Sequence, residues 1–540
     1  MRRLIPTLAL GLGSCLATQA QLYIDNATFF IETGATVTVQ GDLTSNVSIQ
    51  GPGKILLKGS TLQNVNMNNG GAVTNAYTIP NLEIDNAAHV QLTGNAKVGT
   101  NLTFTTGKIL TGNFNFVLAN LATVTTPGAS KFIENTGTGF AQRELAAASS
   151  NLLLPVGAGT SYTPISLSHA GGTYGATSLV GAQAKLALSP NAHIRTESYT
   201  NAYWPVASTN ITGGTLTGVG TYNDPGFSGT EIDIRGMSFN GTDWTLAGGA
   251  QDVTLNTVTG ALTTATGQVF GMNRFLLMNS RALLQGANPV AGVMGDALRV
   301  APSVIPLTEP YRGAPYNFTS LNGGVQEVAV AATFNDLASN NNIADWVYVE
   351  LRNNVTTGSV LLQTRSAFIQ KDGDIVDMNG TSPLYFKNLD AGDFTVTVRH
   401  RNHLAISTNN SGAFYKNLTL SGSTTILDFS TLAASSILGT ANTNYVNAGG
   451  FNMMYAGNAN FNTNVRYGGP SNDKDYILAT APNGGLGGNP ALVLSSVYSQ
   501  SDVNMNKVVR YGGPSNDKDY ILATPLAANP AAVKAQVIPN

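Results

Sequence analysis

The residues best able to do chemistry lie towards the C-terminal end. Sixteen residues, VRYGGPSNDKDYILAT from Val465 to Thr480, recur unchanged from Val509 to Thr524. Ahead of each copy, Asp or Asn occupies alternate positions: Asn458, Asn460 and Asn462 before the first, Asp502, Asn504 and Asn506 before the second. Alternate side chains on a tightly wound loop converge on one point, where oxygen ligands can surround a hard cation such as calcium. Asp473 or Asp475 would close the first loop and Asp517 or Asp519 the second, with Val465 and Val509 anchoring each loop to a core. The second loop is expected to bind more tightly, because Asp502 stands where the first has neutral Asn458. The same residue types also form Asx-turns and helix caps without a metal.

Other clusters carry less. Asp372, Asp374 and Asp377 fall within six residues around Ile375-Val376 and read as two adjacent turns rather than a cation site. His400 and His403 sit in the run Arg399-His400-Arg401-Asn402-His403. On one continuous strand they point to opposite faces, which argues against a two-histidine metal site unless the strand ends between them. Trp204 and Trp244 read as core or rim packing in preference to sugar-stacking platforms. No nucleophile elbow and no paired-histidine zinc helix is present. The carboxylates of residues 22–145 (Asp25, Glu32, Asp42, Glu83, Asp85, Glu134, Glu144) are scattered.

The elements that must position these residues are strands. Charged residues make up 11% of the 540 and glycines number 59, with Asn, Thr and Ser filling the polar positions, a composition suited to strands and tight turns. The length calls for several domains. Residues 1–20 read as a secretory signal: Arg2 and Arg3, an apolar run to Ala17, then Thr18-Gln19-Ala20. Cys15, the only cysteine, gives the alternative of a lipoprotein and leaves a cleaved chain without thiols. No later run is long and apolar enough for a membrane-spanning helix. A net charge of −2 makes no electrostatic case for nucleic acid.

The expected fold is all-β. Residues 21–145 carry short alternating runs such as Val37-Thr38-Val39, Leu102-Thr103-Phe104 and Phe114-Asn115-Phe116, punctuated by glycines. They suggest a parallel β-helix-like N-terminal region, with a β-sandwich as the alternative. Residues 146–282 read as a β-sandwich and 283–438 as a second, transthyretin-like one, with strands at Asp345–Arg352 and Asp393–His400. Residues 439–540 hold the repeat pair and, after Ala527, a flexible Ala/Pro-rich tail.

Several stretches of the C-terminal half resemble a module of Bacteroidetes surface and secreted proteins: Ile305–Tyr311, DWVYVELR from Asp345, QKDGDIVD from Gln370 and VRHRNHL from Val398. The paired VRYGGPSNDKDYIL elements resemble the dockerin-like repeats of such proteins, which carry Asp-Gly where this chain has Asn462-Thr463 and Asn506-Lys507. Residues 22–282 resemble, more loosely, large adhesin-like proteins named hemagglutinins. The resemblance implies a non-enzymatic structural or adhesive protein at the bacterial surface or outside the cell. Its partners would be cell-surface glycans or proteins, or further copies of itself. The alternatives are a carbohydrate-active enzyme or carbohydrate-binding subunit using a β-helix groove, and a dockerin-like scaffold component. A smooth Asn/Thr-lined surface would favour the first reading, clustered carboxylates in one groove the second.

Overall fold

The computed structural model describes residues 20–67, 77–192, 196–223, 225–250, 252–321, 326–337, 339–353, 358–389, 392–409, 416–418, 426–479 and 485–539. The expected signal up to Gln19, with Cys15, and Thr480 of the first repeat lie outside them. The chain is almost entirely β, and it divides into two compact units, Met1–Asn273 and Arg274–Asn540.

The first unit begins as a β-solenoid of about six turns. One face stacks the strands Leu22–Ile24, Leu43–Ser45, Gln63–Asn66, Val90–Leu92, Ile109–Leu110, Ile133–Glu134 and Val156–Ala158, each parallel to the next. On another, Thr36–Val39 pairs with Lys54–Leu57, Lys54–Leu57 with residues 81–84, 81–83 with 101–103, and 101–103 with 123–125. Alternation sorts the two sides of this face. Val37, Ile55, Leu82, Leu102 and Val124 form an inward column, and Thr36, Lys54, Asn81, Asn101 and Thr123 an outward one. Inside the coil, Asn86 staples its neighbours. Its amide donates to Thr61 O at 2.8 Å, Gln63 Oε1 at 2.9 Å and His89 O at 3.2 Å, and Gln63 donates on to Val39 O and Gly41 O. Gly107 must be glycine: its φ is +86° and a Cβ would stand 1.8 Å from Asn86 O.

The expected boundary at 145/146 is not a boundary. Strand Ala141–Leu145 lies parallel to Phe116–Leu118 of the solenoid on one edge and antiparallel to Thr173–Ala182 on the other. One 13-stranded sheet therefore runs from the coils into an antiparallel region that continues through Tyr199–Thr212, Thr266–Asn273, Ile234–Phe239 and Trp244–Ala250. A four-stranded antiparallel sheet (Ser149–Leu154, Ile165–Ala170, Thr215–Thr221, Thr257–Leu262) packs against it. A single apolar core spans Ile24 to Val269. Trp204 is fully buried there and donates to Thr163 O at 2.9 Å; Trp244 donates to Asn191 O at 2.7 Å.

The second unit is built on an eight-stranded sheet. Ile343–Asn353 lies between Leu361–Gln370 and Gly392–His400, and His403–Ser407 follows as the hairpin partner of the latter. The two strands expected here are present. The first is buried along nearly its whole length on both faces, acids included. A separate apolar core of Val465, Ile477, Val503, Val509 and Ile521 holds the repeats, with Val465 and Val509 placed as expected.

Each repeat consists of a loop, a three-residue strand (Asn464–Arg466 or Val508–Arg510) and a short helix, α1 (Asp473–Leu478) or α2 (Asp517–Ala523). The segments after the helices are exchanged crosswise. Val493–Ser495, following α1, pairs with the strand of the second repeat, and Val533–Ala535, following α2, pairs with the strand of the first. The tail expected to be flexible after Ala527 is thus a strand, because Asn464–Arg466 offers it an open edge. Asn444 also donates to Ala535 O at 2.8 Å, and Gln536 accepts from Ala405 N at 2.9 Å.

Candidate functional site

Identical sequence gives the two repeats near-identical wiring. Asn472 caps α1 by accepting from Asp475 N at 2.8 Å and donating back to Asp475 Oδ2 at 2.7 Å; Asn516 and Asp519 repeat this at α2. This is the reciprocal logic of a capping box. Asp475 and Asp519 are thereby taken up at the helix starts, their side chains 61% and 58% exposed and paired with Lys474 and Lys518. The structure places Asp473 and Asp517, not Asp475 and Asp519, against the loops.

Asp473 and Asp517 are fully buried. Asp473 accepts from Asn460 N at 3.3 Å and Arg466 N at 2.9 Å, Asp517 from Val503 N at 2.9 Å and Arg510 N at 3.0 Å. Each carboxylate so ties loop to strand. Asp502, at the start of the second loop, accepts from Asn506 N and Lys507 N, both at 2.9 Å. Asn462 and Asn506 form Asx-turns onto Asn464 N and Val508 N, while Asn460 and Asn504 donate to Ser471 O and Ser515 O. Burial pushes Asp473 up to about 7. It pushes Asp502 up to about 6 against the pull of Arg401, and raises Asp517 well above the ordinary carboxylate range, with Asp502 adding to the effect. Lys507 adopts a φ of +70°, so the second loop turns sharply there.

Two oxygens in these loops are unclaimed. Asn458, only 1% exposed, donates to Asn462 O at 2.9 Å, but its Oδ1 is buried without a partner; Asn504 Oδ1 is likewise buried and unpaired. A buried carbonyl oxygen without a donor carries a desolvation cost that a cation would relieve. The donor set of each loop, amide oxygens with one or two buried carboxylates, fits a hard cation. Among the described residues no group of three or more His, Cys, Asp or Glu side chains comes together to hold a metal, so any such site relies on asparagine.

A second constellation, only partly anticipated, stands behind the repeats. The strand containing His400 ends there and turns back at Arg401-Asn402, so His400 pairs with His403 across the hairpin. The two histidines therefore meet instead of pointing apart, with Nδ1 to Nδ1 at 2.8 Å. Gly286 N–H donates to His403 Nε2 at 2.9 Å, leaving the His403 proton on Nδ1. His400 Nε2 faces Asp345 Oδ2 at 3.0 Å and so carries its own proton. Asp345 also accepts from Arg401 Nε at 3.0 Å, the Tyr498 hydroxyl at 2.7 Å and Trp346 N at 2.8 Å. Arg401 stacks on the Tyr498 ring and donates to Ser499 O. All of Asp345, His400, Arg401 and Asn402 are fully buried. Burial works to raise Asp345, but Arg401, His400 and Tyr498 hold it down at about 2. Burial lowers both histidines; for His403 the neighbouring His400 and Arg401 add to this.

The remaining clusters are structural. Asp374 pairs with Arg281 at 2.8 Å, Asp377 with Arg365 at 2.9 Å, and Asp372 accepts from Asp374 N at 3.2 Å. The three acids serve different partners, as in the reading of two turns. On the solenoid, Glu83, Asp85, Glu134 and Glu144 pair with Lys54, Lys58, Lys108 and Lys97. Asp25 is bonded by Asn26 and Asn46, and Asp42 by Asn64. Between them lies a ladder of hydroxyls and amides: Thr123 and Thr125 both donate to Asn101 Oδ1, and Asn101 donates to Thr103.

Comparison with protein-family models, with curated proteins and with solved structures returns no match for this chain.

Proposed function

We propose that this chain is a non-enzymatic structural or adhesive protein of the bacterial cell surface, with calcium bound in its C-terminal repeats. The observation that carries the reading is the outward face of the solenoid. It carries an Asn/Thr ladder, and Glu83, Asp85, Glu134 and Glu144 of the coils are each paired with a lysine. Glu83 and Asp85, lowered by their bonds to Lys54 and Lys58, keep their charge and have no proton to give, whereas glycosidic cleavage needs one carboxyl raised to serve as acid beside a second that stays ionised. A flat, regularly spaced polar face instead suits repeated weak contacts with a glycan or protein surface, where affinity comes from multivalency.

The loops support calcium through the unclaimed oxygens of Asn458 and Asn504 beside Asp473, Asp502 and Asp517. The affinity expected is that of extracellular modules, on the order of 10⁻⁴–10⁻³ M. Protease treatment of intact source cells tests the placement. Loss of the protein from the outer surface is expected; full protection in unbroken cells would overturn it.

A further inference from the structure

The tip of the hairpin at Arg401-Asn402 has no exposed surface, although loop tips normally run over the outside of a protein. What covers it is the repeat pair, and the contacts fall on the loop starts. Asn402 O accepts from Asn458 N at 3.0 Å, and Asn402 Nδ2 donates to Asp502 O at 2.7 Å. Asn458 and Asp502 are equivalent positions, the first residue of each loop. One asparagine thus bonds to the first position of both copies. Around it, Leu404 N donates to Tyr455 O at 2.9 Å, and Arg401 reaches Ser499 O just ahead of the second loop.

We infer that the repeat pair is a cation-dependent clasp on its own chain: the docking partner of the two loops is the hairpin tip Arg401-Asn402, and filling the loops and seating the tip form one linked equilibrium. This rests on the calcium reading. The physical basis is that the Asn402 bonds need the first residues of both loops fixed, and a cation fixes those same residues. Two binding events that share one ordering cost are cooperative, and each strengthens the other by the same factor. With its partner already in place, the pair has no need of a second protein to complete it.

The test uses the full chain. Calcium binding is measured by calorimetry, and amide hydrogen exchange at residues 396–407 is followed with calcium and with chelator. In the natural sequence, calcium should bind and slow exchange at the tip. In Asn402→Ala, calcium should bind about fivefold more weakly or worse, at the low end of typical coupling, and tip exchange should cease to respond. Asn504→Ala approaches from the other side: it removes an unclaimed loop oxygen and leaves the hairpin untouched. It should weaken calcium binding and shrink the calcium-dependent protection of the tip. If calcium binds equally well to Asn402→Ala and tip exchange ignores calcium throughout, the clasp is overturned and the cation reading survives. If millimolar calcium gives no heat with the natural sequence, the cation reading falls and takes the linked clasp with it.

Discussion

Replacing Asp345 by Asn would remove one negative charge from the middle of the second unit and little volume. In the folded chain Asp345 accepts four hydrogen bonds, from His400, Arg401, Tyr498 and Trp346 N. Each carboxylate oxygen accepts two of the four, so the NH₂ of an amide would face two donors and at least one bond must be lost. The larger effect is on Arg401, which is fully buried and whose Nη2 already lacks a partner. Breaking a buried ion pair by neutralising one member costs about 3–5 kcal/mol, because the other charge is stranded. A loss of about 3 kcal/mol lowers the folded-to-unfolded ratio by roughly 150-fold. Hydrogen exchange at Ile343–Asn353 and Gly392–His400, followed through denaturant, reads it directly. The double variant Asp345→Asn/Arg401→Met should lose less than the sum of the two single variants, by about 1 kcal/mol or more. A single-variant loss within about 0.5 kcal/mol of zero, or strict additivity, would refute the stranded-charge argument.

Three further outcomes are expected. His400 and His403 are held neutral, with folded pKa values below the ordinary 6.5; the unfolded chain takes up more protons below that pH, so the stability they permit is lost as pH falls from 6.5. The loss is up to about 1.4 kcal/mol per histidine per pH unit, so denaturant melts at pH 6.5 and 5.5 should differ less in His403→Gln than in the natural sequence, and equal differences would sink the assignment. Asn86→Ala should destabilise the first unit by about 1–3 kcal/mol, since it removes the bonds that tie its turn to Thr61 and Gln63 of the preceding coil; calorimetry of that transition checks it. Deleting residues 529–540 should speed hydrogen exchange in the strand Asn464–Arg466 and leave Val508–Arg510 protected, because the missing segment serves the first repeat.

The solenoid was legible because its inward residues alternate and glycines mark the corners. No repeat period could be seen, because the coils differ in length: Val90 pairs with Ile109 after 19 residues, Ile109 with Ile133 after 24. The continuity at Ala141–Leu145 left no trace, since a strand that is parallel on one edge and antiparallel on the other needs no special residue. The buried cluster around Asp345 was hidden for a different reason. Asp345 opens a strand read as alternating, yet it is buried, and what allows its burial lies 55 residues on at His400 and 153 on at Tyr498. For the tail a signal did exist. Asn489-Pro490-Ala491 precedes the segment that pairs with the second repeat, and Asn529-Pro530-Ala531 the segment that pairs with the first. Both asparagines accept from the alanine two residues on, at 3.0 Å.

That crossed arrangement has a consequence for how the protein is made. A chain emerges from its N-terminal side, so the first repeat appears before the second, but its edge stays open until residues 533–535 arrive. The second repeat has its partner strand, Val493–Ser495, waiting for it. The earlier copy is thus the later to be finished. A chain halted between residues 466 and 533 would display an unpaired strand edge, the kind of surface on which quality-control proteases and stray strands act, and the edge closes only once Val533–Ala535 has been made.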